Sequence, residues 1–204
     1  MPRVLRLFRF KPATPQFDET VRATLLPDLG RLPGLLDMAA GRRVSLADDD
    51  RVIASIWRSW SAMQDAVGAS VEESPFHPEL LDGSTNRKFS ATPIVFGDLY
   101  LAGAEPRLLR VVEGSVRDGE FDRYVEEAEA GTRADTGAGR GPVALYLARA
   151  GTNDFVTLST WTEWDDVQDA TGSDIRRPQA TRHAERLVAW SASHFEIVGR
   201  EPAG

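Results

Sequence analysis

The chain has 204 residues, a formal net charge of −7, no cysteine, and 42% apolar against 27% charged residues. An acidic balance argues against nucleic acid as a partner, since phosphate binding requires a basic surface. Without cysteine there are no disulfides, thiolate metal sites or cysteine nucleophiles, and the composition fits a cytoplasmic protein. The N-terminal stretch is broken by Arg3, Arg6 and Arg9. It lacks the apolar run of a signal peptide, and no segment approaches the roughly 18 apolar residues that cross a bilayer, so no membrane partner is expected.

Taken in chain order, RVLRLFRF at 3–10 has the Val, Leu and Phe content of a strand. Phe17, Val21, Leu25 and Leu29 recur every four residues and predict a helix. GLLDMAAGRRVSL at 34–46 and RVIASIW at 51–57 read as a hairpin around acidic turn residues at 48–50. Trp57 ends that strand, Ser59 marks a turn and Trp60 opens a short helix. His77 stands between Phe76 and Pro78 in a short or broken helix. GSTNRKFSATP at 83–93 is polar and reads as a loop over one cavity mouth, followed by a last strand, TPIVFGDLYL, at 92–101. AGAEP at 102–106 is a linker.

The second half repeats this order. RLLRVVEGSV at 107–116 is a strand, Asp118 is the expected N-cap, and Phe121 and Val125 mark the next helix. GTRADTGAGRG at 131–141 follows that helix and contains no GxGxxG, so a nucleotide loop is not indicated. GPVALYLARAG at 141–151 and FVTLSTW at 155–161 form a second hairpin, after which Trp164 opens a helix. His183 lies in the helical ATRHAERL, and SHFEIVG at 193–199 is the closing strand, which His194 leads into.

The two halves align without a gap from Val4 through Gly68, beyond which the register is lost. WRSWSAMQDAVG at 57–68 and WTEWDDVQDATG at 161–172 share six of twelve positions, and Trp57 and Trp161 lie 104 residues apart. The same offset lays FDETV at 17–21 on FDRYV at 121–125, and DRVIAS at 50–55 on DFVTLS at 154–159. This reads as a tandem duplication, with repeats at 1–101 and 107–204 joined by 102–106. Each repeat runs β-α-β-β-α-β, the ferredoxin-like order. The expected fold class is α+β: two ferredoxin-like repeats with their bare sheet faces packed together, a pseudo-dimeric α/β barrel with helices outside.

The strand, the helix ending in Leu32-Pro33-Gly34, the hairpin and the strand-end Trp before a short helix resemble the antibiotic biosynthesis monooxygenase group of the dimeric α/β barrel superfamily. The resemblance covers nearly the whole chain. It implies a range of activities: cofactor-free oxidation of aromatic or quinol-like compounds by O₂, haem binding, or no chemistry. The haem degraders of the group carry an Asn on the first strand and a Trp on the second helix; here the first strands hold no Asn, and Ala66 and Ala170 fall at the Trp position.

The expected function is that of a cofactor-independent monooxygenase, an oxidoreductase acting on a small aromatic substrate. A haem-binding protein using His183, and a non-catalytic small-ligand barrel, are the alternatives. The candidate catalytic residues are His183, His77, Arg6 and Arg110. A histidine can move protons or ligate haem iron. Arg6 and Arg110 hold equivalent places on the first strands, where a guanidinium either pairs with an acid or holds a carboxylate, phenolate or haem propionate. No short-range His spacing suggests a metal site. Beyond the internal pseudo-dimer, a further homodimer is an open expectation.

Overall fold

The computed structural model describes residues 1–14, 16–44, 49–68, 83–172, 176 and 186–202. His77 and His183 lie outside them. The protein is α+β, as its sequence indicates. Eight strands are described: β1 Val4–Lys11, β2 Leu35–Arg43, β3 Arg51–Trp57, β4 Thr85–Leu99, β5 Leu108–Val116, β6 Ala144–Arg149, β7 Asp154–Trp161 and β8 Leu187–Pro202. Among the described residues four helices accompany them: α1 at 17–29, α2 Trp60–Val67, α3 Phe121–Gly137 and α4 Trp164–Thr171. Hydrogen-bonded neighbours run β1-β3-β2-β8-β5-β7-β6-β4, and β4 pairs with β1 again.

Two compact units divide the chain: Met1–Pro93 with Phe195–Gly204, and Ile94–His194. In the first, β1 and β3 pair antiparallel with Arg6 opposite Ser55 and Val4 opposite Trp57. The first part of β4 flanks β1, and β2 flanks β3. In the second, β5 and β7 pair with Arg110 opposite Ser159 and Leu108 opposite Trp161. Each of these pairs in the second unit stands 104 positions after its counterpart in the first. The sheet order of each unit, β4-β1-β3-β2 and β8-β5-β7-β6, is the ferredoxin-like one.

The strand-end tryptophans are anchors. Trp57 and Trp161 are fully buried. Each indole N–H donates to the Ser Oγ two residues earlier on its own strand, Ser55 or Ser159, at 2.9 Å. The ring and its serine share one sheet face because side chains alternate along a strand. The turn that follows starts a helix through an N-cap. Ser59 Oγ accepts from the Ala62 N–H at 3.2 Å, and Glu163 forms a capping box with Asp166. Both helices end at a glycine with positive φ, Gly68 and Gly172.

In the first unit the core joins β1, β2, β3, α1 and α2 through Val4, Phe8, Phe10, Phe17, Val21, Leu25, Met38, Trp57 and Met63. The middle turn of α1, Val21–Leu25, is π-helical. Pro27 follows it, lacks an N–H, and would clash with the carbonyl four residues back, so the helix widens before it. Arg51 ties α1 to β3, its Nε donating to Asp18 Oδ1 at 2.7 Å and its Nη1 to Asp49 Oδ1 at 2.6 Å. Burial lowers its pKa, but Asp18 and Asp49 together outweigh that and the net shift is upward. In the second unit Val112, Val116, Phe121, Tyr124, Ala128, Leu147 and Phe155 form one cluster; Leu108, Trp161 and Val167 form another.

Several expectations are corrected. The segment at 83–93 is no loop: β4 begins at Thr85 and pairs with β1 from Lys11 to Val4. Its polar residues are explained by exposure, since Arg87 and Lys88 are open to solvent. β8 likewise begins at Leu187, so His194 lies inside the strand. Asp118 does not cap α3; Glu120 precedes its first turn, and the Asp118 carboxylate accepts from the Asn153 amide. α3 runs on to Gly137, so the first half of the glycine-rich stretch is helical. Its buried stripe is Phe121, Tyr124, Ala128 and Thr132, with Val125 only half-buried.

Two outcomes are expected. Replacing Ser55 or Ser159 by Ala leaves a buried indole N–H without its acceptor, and denaturant unfolding should show a loss of about 1–3 kcal/mol for each. Gly97 has φ +130°, and a Cβ there would meet the Leu145 carbonyl oxygen at 2.1 Å. Gly97→Ala should therefore cost roughly 2 kcal/mol or more in the same measurement, through backbone strain and a widened β4–β6 ladder.

Candidate functional site

Strand alternation decides which way the first-strand arginines point. Leu108 and Val112, two residues to either side of Arg110, pack against residues of α4 and α3 respectively. Arg110 therefore shares their face and points toward the helices. Arg6 sits in the same way between Val4 and Phe8, which join the helix-covered core of the first unit. Both are mid-strand and buried, at 1% exposure for Arg110 and 2% for Arg6.

Arg110 is held from β8. Its Nε–H donates to His194 Nε2 at 3.1 Å. That nitrogen accepts, so in this arrangement the imidazole is neutral with its proton on Nδ1. The His194 ring lies 5.3 Å from the Trp164 ring at 51°. Trp164 is placed there by the capping box at Glu163, which fixes where α4 begins. In the second unit this gives the two tryptophans separate roles: Trp161 anchors the strand end, and the half-buried Trp164 packs beside the histidine, whereas Trp60 in the first unit is exposed. From α3, Tyr124 lies within electrostatic reach of the guanidinium and is 2% exposed.

Burial sets the protonation of this group. It lowers the Arg110 pKa from the ordinary arginine value to about 10, with Tyr124 acting in the opposite direction. The guanidinium is thus a cation at neutral pH in a place where charge is expensive. Burial also raises the Tyr124 pKa above 10, opposed by Arg110, so its hydroxyl keeps its proton at neutral pH.

The corresponding place in the first unit is lined differently. Burial lowers the Arg6 pKa from the ordinary arginine value to about 10 as well. The Arg6 guanidinium carbon lies 5.4 Å from the Phe89 ring centroid. Phe89 stacks on Phe8 at 4.2 Å and 10°, and Phe8 on Phe10 at 4.5 Å and 17°. The positions 104 residues after Phe8 and Phe10 are Val112 and Gly114.

Of the four sequence candidates, the structure places Arg6 and Arg110 in separate units, each beneath helices, and His183 and His77 lie outside the described residues. His194 and Tyr124 were not among them. His194 is 84 residues from Arg110, and nothing local marks it; only the pairing of β8 beside β5 brings them together. Tyr124 carried a signal, since Phe121, Tyr124 and Ala128 have helical spacing.

Among the described residues no group of three or more His, Asp or Glu could hold a metal ion. In this arrangement the Arg110 N–H engages His194 Nε2, the lone pair that a haem iron would need. No described helix is long and apolar enough to cross a membrane.

No family model matches the chain, and no curated protein does. Solved structures share its fold. A presumed monooxygenase from Fusobacterium nucleatum superposes with a TM-score of 0.77 at 11% identity, covering 100% of this chain and 95% of that one. A presumed monooxygenase from Lactobacillus acidophilus gives 0.74 at 10% identity, over 100% and 98%. An anthrone oxidase-like protein gives 0.63 at 14% identity, over 100% and 94%. At these identities the likeness is one of fold.

Proposed function

We propose that this chain is a small-molecule monooxygenase that oxidises an aromatic or quinol-like substrate with O₂ and no cofactor. The observation that carries the reading is Arg110, a cation buried mid-strand on the helix-facing side of β5 and held by His194. The fold shared with presumed monooxygenases and an anthrone oxidase-like protein supports it.

In such a reaction the substrate supplies the electrons. A ring CH₂ made acidic by a neighbouring phenol or ketone loses a proton, leaving an enolate or phenolate. O₂ then delivers one oxygen to that carbon, and the other leaves as water with the two hydrogens of the CH₂, so CH₂ and O₂ become C=O and H₂O. Arg110 stabilises the oxyanion as it forms, and the fixed cation in a water-poor site is worth more than in solvent. The proton acceptor is assigned to His183, with His77 as the second candidate. We also read the 104-residue offset as a tandem duplication, and the protein as cytoplasmic.

The test is O₂ uptake by chelator-treated protein against phenols, hydroquinones and tricyclic anthrones, with products identified by mass spectrometry under ¹⁸O₂. Turnover with one ¹⁸O incorporated is expected, falling by about 10²-fold or more in Arg110→Met and His183→Ala. Turnover only after added haem, with a Soret band lost in His183→Ala, would replace this reading with the haem one. Tight binding of these compounds without any O₂ uptake would leave a binding barrel.

A further inference from the structure

His194 stands at one end of a thinly packed stretch of strand. β8 lies beside β5, where the Arg117 N–H donates to the Arg186 carbonyl at 2.9 Å and a Cβ at Gly114 would meet the Ala189 carbonyl oxygen at 2.5 Å. Between Leu187 and His194 only Leu187 is buried; Val188, Ala189, Trp190 and Ser191 are exposed. A strand with so few buried side chains opens at low cost, so the side-chain ties at its two ends carry weight. At its start, Arg186 is clamped by the carboxylates of Glu127 in α3 and of Glu120 just before it. At its other end the Arg110 N–H donates to His194 Nε2. Arg110 and His194 each make a further contact, so this bond is one tie among several.

The two ends respond to acid differently. A carboxylate clamp keeps its charges through the range in which a histidine titrates. The His194 end instead sets a permanent cation against a neutral acceptor. A proton on Nε2 removes the lone pair that the Arg110 N–H uses. An imidazolium has no acceptor on either nitrogen, so turning the ring restores nothing. It also puts a second cation 3.1 Å from a guanidinium nitrogen whose side chain is buried, where like charges repel strongly. From α3, Tyr124 offers no negative charge in return, since burial keeps its hydroxyl protonated. From α4, the group packed on the imidazole is the Trp164 ring, which does not titrate. Of the acids that open α4, Glu163 and Asp166 are engaged in the capping box and Asp165 is exposed. On β5, Glu113 is three residues from Arg110 and so on the opposite sheet face. Along β8 the charges nearest in sequence are Arg186 and Glu196, and the Glu196 carboxylate accepts from Arg42.

We propose that His194 is an acid-sensitive latch: protonation of its imidazole breaks the bond to Arg110 and releases the 187–194 stretch of β8 from β5. The sign follows from the bond. The closed strand takes the neutral imidazole, so the latch holds above the ordinary histidine value of about 6.5 and loosens as pH falls below it. This latch is independent of the oxygenase reading, since it acts on the strand whether or not a substrate is turned over.

Amide hydrogen exchange of the full chain, corrected for the intrinsic rate at each pH, reads the opening directly. Where opening frees a histidine of ordinary pKa, the open population rises about tenfold between about pH 7.5 and pH 5.5. Protection at 188–193 should fall by that factor, while protection in β1 and β3 holds. In His194→Gln, whose amide oxygen can accept from the Arg110 N–H at every pH, protection at 188–193 should be close to that of the unaltered protein at the higher pH and should not fall at the lower one. In His194→Leu it should be low at both. NMR titration of the His194 Cε1–H should give a midpoint below that of a free imidazole, and this reading needs no variant to fold. An ordinary or raised midpoint, equal protection at both pH values in the unaltered protein, a fall that persists in His194→Gln, or equal protection in the Gln and Leu variants at the higher pH would each overturn the proposal.

Discussion

An indole N–H bonded to a serine two residues back on the same strand is the small interaction from which much of each unit follows. It holds Trp57 and Trp161 in the cores they share with the helices that start three residues later. A buried indole needs an acceptor, and the serine supplies it from the one place a strand can offer on the same face. The same serine faces the first-strand arginine across the ladder. Tryptophan, serine and arginine thus form one layer, set by strand register, and that layer fixes the side of the sheet on which the guanidinium is buried.

Burying a guanidinium in mid-strand costs free energy that a leucine would not. The two units meet that constraint with different neighbours. The first surrounds Arg6 with phenyl rings and draws on the attraction between a cation and an aromatic face. The second gives Arg110 a hydrogen-bond acceptor in His194 and the company of Tyr124. Elsewhere the chain pairs arginines with acids, as the buried Arg51 with Asp18 and the half-buried Arg200 with Asp37. Those clamps join α1 to β3 and β8 to β2, and acids raise the Arg51 pKa where burial lowers that of Arg110. The contrast separates arginines held by carboxylates from arginines buried among rings.

The long last strands explain why the compact units do not follow the sequence halves. β4 pairs with β1 over Val4–Lys11 and then with β6 from Ile94 onward. β8 pairs with β2 over its C-terminal part, where the Arg200–Asp37 pair lies. Each of these strands is therefore half in one unit and half in the other. Their polar, half-exposed N-terminal parts lack the apolar alternation that reveals a strand, which is why 83–93 reads as a loop and His194 reads as lying before a strand.

What the sequence determined by itself was the periodic and the repeated. Strand-type residues gave β1, β3, β5 and β7, four-residue spacing gave α1, and the matched Trp stretches gave two similar ferredoxin-like orders, because these signals are local or recur at a fixed offset. The anchoring role of Trp57 and Trp161 and the equivalence of Arg6 and Arg110 came from the same offset. Only tertiary structure decided what surrounds each arginine. His194 reaches Arg110 across 84 residues through strand pairing, and the phenyl stack beside Arg6 depends on Phe89 in a strand with little sequence signature. Hydrogen bonding between distant strands carries no period in the chain, so the difference between the two units is visible only once β4 and β8 are laid beside β1 and β5.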